Sequence, residues 1–146
     1  MQTLAMFGPL DTIVGPYIEF VVLGLLLANM VTRIVAHRSH VNQNNDGGAD
    51  AMSRSMLHNV TTALLVLATL YYLTWDSYAG LVSGILILGM VITDFFEFEA
   101  RLVEARRDVP LDTPKGAIAA SVLALLYVAF QTLFFIVEPV WTAIVG

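Results

Sequence analysis

Cysteine is absent from the 146 residues. That absence removes disulfides, cysteine-ligated zinc, iron–sulfur clusters and thiol nucleophiles together. Charge is scarce too: 13% of residues are Asp, Glu, Lys or Arg, against about 25% in an ordinary soluble domain. Lys115 is the only lysine, beside six arginines and twelve acidic residues, and the net charge is −5. With no basic patch, nucleic-acid binding is not expected. A retinal Schiff base needs an intramembrane lysine, and Lys115 falls in a loop. Haem b between helices needs deep histidines with facing partners, whereas His37, His40 and His58 lie in or beside a polar loop. No nucleotide-binding loop, catalytic triad or zinc protease motif is present, and the longest loop on the basic side is too short for a catalytic domain. The expectation is a chain that is not an enzyme and has no catalytic residue, cofactor or bound metal.

What the chain has in abundance is apolar surface. Hydrophobic residues make up 58% of it, and the mean hydropathy is +0.76. They come in runs near the length of about 20 residues that a helix needs to cross a bilayer. Four spans are predicted, at about 13–36, 56–75, 78–98 and 116–137, in one transmembrane domain over 1–146. A polar segment at about 38–52, rich in Asn, Gly and Asp, reads as a mobile loop. Ser53 or Ser55 is placed to cap the second span. The short WDSYAG connection makes spans two and three antiparallel neighbours. The helical pattern of the third span continues to about 108, with Glu97 and Arg101 as an i,i+4 pair, until Pro110 stops it. Thr113 and Pro114 read as N-cap and first residue of the fourth span. The fold class is therefore all-α, an integral membrane bundle of four helices. Residues 1–11 carry no Lys or Arg, so no cleaved signal is expected.

Every Lys and Arg lies on one side. Arg33, Arg38 and Arg54 bracket the first loop; Arg101, Arg106, Arg107 and Lys115 bracket the third. The positive-inside rule makes loops 37–55 and 99–115 cytoplasmic and both termini external, in a multi-pass protein of the cell membrane. Tyr71, Tyr72, Trp75, Tyr78 and Trp141 then gather at the outer interface, as an aromatic belt does. The two patterns use different residues and agree.

Ionisable groups inside spans cost several kcal/mol and are candidate sites by default. Glu19 falls about 12 Å below the outer end, counted from Asp11. It reads either as a proton or cation site, or as a group holding helices together through Gln131 at similar depth on the fourth span. Asn29 and Arg33 interrupt the first span. Arg33 reaches the depth of Asp94 and Glu97 on the third, so it either pairs with one of them or snorkels to the interface. The histidines read as interfacial residues, or as a metal site or pH sensor. Small residues form possible packing faces: Gly80, Gly84 and Gly89 on the third span, Gly116, Ala120 and Ala124 on the fourth, Gly24 and Ala28 on the first.

The run DFFEFEARLVEARRDVPLDTPKG, with the acidic, lysine-poor composition, resembles a family of small multi-span membrane proteins of halophilic archaea. The resemblance covers the whole chain and carries no catalytic motif. Some such proteins look to be encoded beside cytochrome bc-type respiratory subunits, which implies an accessory role. Four spans with a carboxyl in the first are also similar to small multidrug-resistance transporters. Those have short loops, and this chain has long charged ones and no Trp at mid-depth in span three. The expected function is a non-catalytic accessory or structural subunit of a larger membrane complex, with a respiratory complex as the candidate the resemblance implies. Its partners are then the bilayer and other membrane subunits, or further copies of itself. The alternative is a small proton- or cation-coupled transporter using Glu19.

Overall fold

The computed structural model describes residues 8–145; the first seven residues of the N-terminal stretch, and Gly146, lie outside them. A short helix α1 (Pro9–Ile13) and a 3-10 turn (Gly15–Tyr17) lead into α2 (Ile18–Gly47). A second 3-10 turn (Ala49–Ala51) precedes α3 (Met56–Trp75), followed by α4 (Ser77–Arg106) and α5 (Lys115–Val145). No strand occurs among the described residues. The four long helices form a ring in which α2 packs on α3, α3 on α4, α4 on α5 and α5 back on α2. All four are long and apolar enough to cross a membrane.

The burial pattern suits lipid as the surrounding solvent. Leu27, Leu64, Leu67, Leu81, Ile85, Leu123 and Leu126 point outward and are exposed. Asn29, Thr69, Ser83, Ser121 and Thr132 are buried. A water-soluble bundle would gain by the reverse arrangement.

Local chemistry sets the helix ends. The Ser55 hydroxyl accepts from the His58 N–H at 3.3 Å and caps α3. Asp76, the one residue between α3 and α4, caps α4 by accepting from the Ala79 N–H at 3.3 Å. So short a link forces an antiparallel hairpin, and Gly80 makes its close approach possible. A Cβ on Gly80 would stand 2.3 Å from the Leu73 Cα. Gly84 meets Thr69, and Gly116 meets Thr93 and Glu97. Ala124 is fully buried and Ala120 partly so. Gly24 and Gly89 face open space. Gly80 and Gly84 thus serve packing within the chain, and Gly89 does not share their surroundings.

Three expectations need correction. The segment read as an irregular loop is helical as far as Gly47, because helix α2 continues eleven residues beyond position 36 and packs beside the Ala49–Ala51 turn. At the other end, Pro16 and the preceding turn delay α2 until Ile18 instead of about 13, which puts Glu19 in its first turn. Finally, α5 runs through Pro139 to Val145 instead of ending near 137. Proline removes one backbone donor, a loss that membrane helices tolerate.

Gly80→Ala is expected to lower stability by about 1–3 kcal/mol through overpacking against the α3 backbone. Gly89→Ala should be neutral or slightly stabilising through helix propensity. Thermal unfolding in detergent, followed by circular dichroism, separates the two. Equal effects would remove Gly80 from the crossing.

Candidate functional site

Near the arginine-bearing end of the bundle, three helices place polar side chains on their inner faces. Helix α2 supplies Asn29, Thr32 and Arg33, spaced three and four residues apart and hence on one face. Helix α3 supplies His58, Thr61 and Thr62 by the same spacing, and α4 supplies Asp94.

Asp94 is the hub. Its Oδ1 faces the Arg33 Nε at 3.4 Å, and its Oδ2 accepts from His58 Nε2 in a short contact. The Arg33 side chain is 2% exposed and that of Asp94 13%. Arg33 Nη2 also donates to Asn29 Oδ1 at 2.8 Å. The two amide protons of Asn29 go to Thr61 Oγ1 at 3.1 Å and Thr62 Oγ1 at 2.8 Å. Thr61 donates to the His58 backbone carbonyl at 2.9 Å. Arg33 Nη1 alone in this group is buried without a partner.

Thr32 makes the cluster chemically versatile. Its Oγ1 lies 2.8 Å from His58 Nδ1, 2.9 Å from Thr61 Oγ1 and 3.0 Å from the Asn29 carbonyl. With Nε2–H committed to Asp94, a neutral His58 accepts at Nδ1 from the Thr32 hydroxyl. A protonated His58 donates from Nδ1 to Thr32, whose proton then turns to the Asn29 carbonyl. Either assignment satisfies both ring nitrogens of His58 without moving a heavy atom.

Of the residues singled out in the sequence, Asn29, Arg33 and Asp94 come together here. Arg33 pairs with Asp94 across the ring, since α2 and α4 are not neighbours; the length of arginine makes the pairing possible. Glu97 is elsewhere. Its carboxylate accepts from the Gly116 and Ala117 N–H groups at 3.2 and 2.6 Å, where it serves the exposed donors at the start of α5. The expected Glu97–Arg101 pair is therefore not formed. Nor do Glu19 and Gln131 pair: Glu19 receives the Tyr72 hydroxyl at 3.4 Å, and Thr132 donates to the Glu19 backbone carbonyl at 3.4 Å. Tyr72 is buried on the adjacent α3 and takes the place expected of Gln131. The sequence reading missed His58, Thr32, Thr61 and Thr62 as members of the cluster. Their signal was the matching i, i+3, i+4 polar stripe on two successive spans.

Removing one partner of a buried pair leaves the other charge uncompensated, which costs about 3–5 kcal/mol. Asp94→Asn is expected to approach the lower figure, because Asp94 is not fully buried and Asn still bonds His58. Arg33→Met combined with Asp94→Asn should cost less than the sum of the single changes. Chemical unfolding of the four proteins gives the coupling, and strict additivity would mean that the pair is energetically idle.

No curated protein and no solved structure matches the chain. A family profile does, from residue 2 to residue 145. A bundle of four apolar helices with a polar centre near one end is thus what these residues encode in the family to which the chain belongs, the one described as a domain of unknown function (DUF7313).

Proposed function

We propose that this protein is a non-catalytic accessory subunit of a larger membrane complex, with the arginine-bearing end cytoplasmic and both termini outside. The observation that supports the reading is the overhang of α5. Gly116 lies level with Thr93 of α4, which is about 24 Å from the start of α4 at Ser77. Helix α5 therefore draws level with that start near residue 132. Thr132 is its last buried residue, and residues 135–145 are all exposed. The helix continues to Val145, about 20 Å past the level where α3 ends and α4 begins. Phe135, Ile136, Val137, Val140, Trp141, Ile144 and Val145 give this extension an apolar surface. With α3 at 20 residues, about 30 Å and so already the thickness of the hydrocarbon core, lipid tails do not cover the overhang. A neighbouring subunit would. The resemblance to proteins encoded beside respiratory subunits makes a respiratory complex the first place to look.

The transporter reading gives Glu19 the central role. Its place in the first turn of α2, under the Tyr72 hydroxyl, favours a helix-holding group instead. Glu19→Gln is expected to leave the fold and any cation flux in proteoliposomes unchanged; selective loss of flux would restore transport.

Mild-detergent purification from native membranes should yield a stoichiometric complex with other membrane subunits. Trp141→Glu combined with Ile144→Glu should release the chain while its helicity stays intact. A wild-type protein that purifies alone and fully functional would overturn the proposal.

A further inference from the structure

Beyond the cluster around Asp94 lies a cavity of about 120 Å³ between α2, α3 and α4. That is room for roughly four waters or one phosphate-sized oxyanion. Its walls include His40, Arg54, His58, Asp94, Phe98 and Arg101. Two of these are conspicuous. Arg101 is 4% exposed and His40 3%. Arg101 Nε and Nη1, and both ring nitrogens of His40, are sealed from solvent and have no hydrogen-bond partner. The Ser53 carbonyl lies beside the His40 ring without reaching hydrogen-bond geometry.

Within the cavity lining, Arg54 and Arg101 face Asp94 as the one carboxylate. Asp94 is taken by Arg33 and His58. Arg54 is taken by Glu99 at 2.7 Å, with its guanidinium 4.4 and 4.3 Å from the centres of the Phe95 and Phe98 rings. Arg101 feels Asp94, Glu97 and Glu104, but each of these is engaged elsewhere. Glu97 serves the start of α5, and Glu104 accepts from the Asp112 N–H at 3.2 Å. Among the described residues no carboxylate lies within 4 Å of the Arg101 guanidinium. A buried cation without a partner is costly, and a bound counter-ion removes the cost. The second small cavity beside Arg101 is lined by Glu97, Glu104 and Asp112, which repel an anion. The side bearing His40 and Arg54 does not.

We propose that this cavity binds a phosphate-type oxyanion, held by Arg101 and His40 as their side chains turn toward it, with Arg54 adding positive field. Arg101 stands about 36 Å along α4 from Ser77, just past a hydrocarbon core about 30 Å thick. This is the level of lipid headgroups, where basic pockets between helices take lipid phosphates. The phosphate comes from an anionic lipid or from free phosphate. The site does not depend on the subunit reading.

The experiment has two arms. Inorganic phosphate is titrated into delipidated protein by calorimetry. In the second arm, lipid retained per chain is counted by native mass spectrometry after reconstitution with phosphatidylglycerol or with phosphatidylcholine alone. Saturable phosphate binding indicates free phosphate as the source. One retained phosphatidylglycerol per chain, with no phosphate binding, indicates a lipid headgroup. In either arm Arg101→Lys, which keeps the charge but loses the fork, should weaken binding by about tenfold to a hundredfold. His40→Gln should weaken it less, and it carries the test if the Arg101 variant does not fold. Binding in neither arm, as for a cavity holding only water, overturns the proposal. So does binding that both substitutions leave unchanged.

Discussion

The carboxylate of Asp94 is shared between Arg33 and His58, and the arrangement of the helices at the arginine-bearing end depends on it. One oxygen reaches across the ring to α2, and the other binds α3. Apolar side chains cannot do this in a membrane, because lipid tails solvate leucine as well as a neighbouring helix does. Polar groups in an apolar medium have to find partners or lose several kcal/mol. They therefore fix which face of each helix turns inward. A shift of α4 by one turn, about 5.4 Å, would take Asp94 away from both partners.

The opposite end is built differently. There the single residue Asp76 joins α3 to α4 and caps α4, and Gly80 lets the helix backbones meet. Glu19 and Thr132 tie α2 to α3 and α5. Close packing with a few bonds holds this end, whereas a charged cluster holds the other. The two surfaces left unbalanced follow from this division. One is the apolar overhang of α5, past the level where α3 ends and α4 begins. The other is the cavity at Arg101, whose guanidinium has no carboxylate within 4 Å among the described residues.

Most of the architecture was legible in the sequence, because hydropathy needs only one dimension. Runs of apolar residues, with arginines confined to one side, gave four helices, their order and their class. The pairing of Arg33 with Asp94 was legible as a matter of depth, since both positions follow from 1.5 Å per residue. What stayed hidden depends on the ring. Whether Glu19 meets Gln131 or Tyr72 is decided by which helix faces which, and no spacing along one helix reports that. The segment up to Gly47 reads as a loop because Asn, Asp and Gly favour loops locally, whereas in the structure it continues α2 beside the Ala49–Ala51 turn. His58 reads from the sequence as an interfacial residue because it stands only two residues into its helix. Its partners Thr32 and Asp94 come from other helices.

The most direct test of Asp94 as the organising group is a distance between the two helices it joins across the ring. The chain has no cysteine, so spin labels on introduced cysteines report without background. Arg38 on α2 and Ala100 on α4 are both exposed near the arginine-bearing end. Labels there should give one narrow distance in the wild-type protein. In Asp94→Asn the distribution should broaden or shift, while labels at Tyr17 and Tyr78 at the opposite end stay unchanged. An unaltered Arg38–Ala100 distance in a folded Asp94 variant would show that apolar packing alone sets the bundle, contradicting this account.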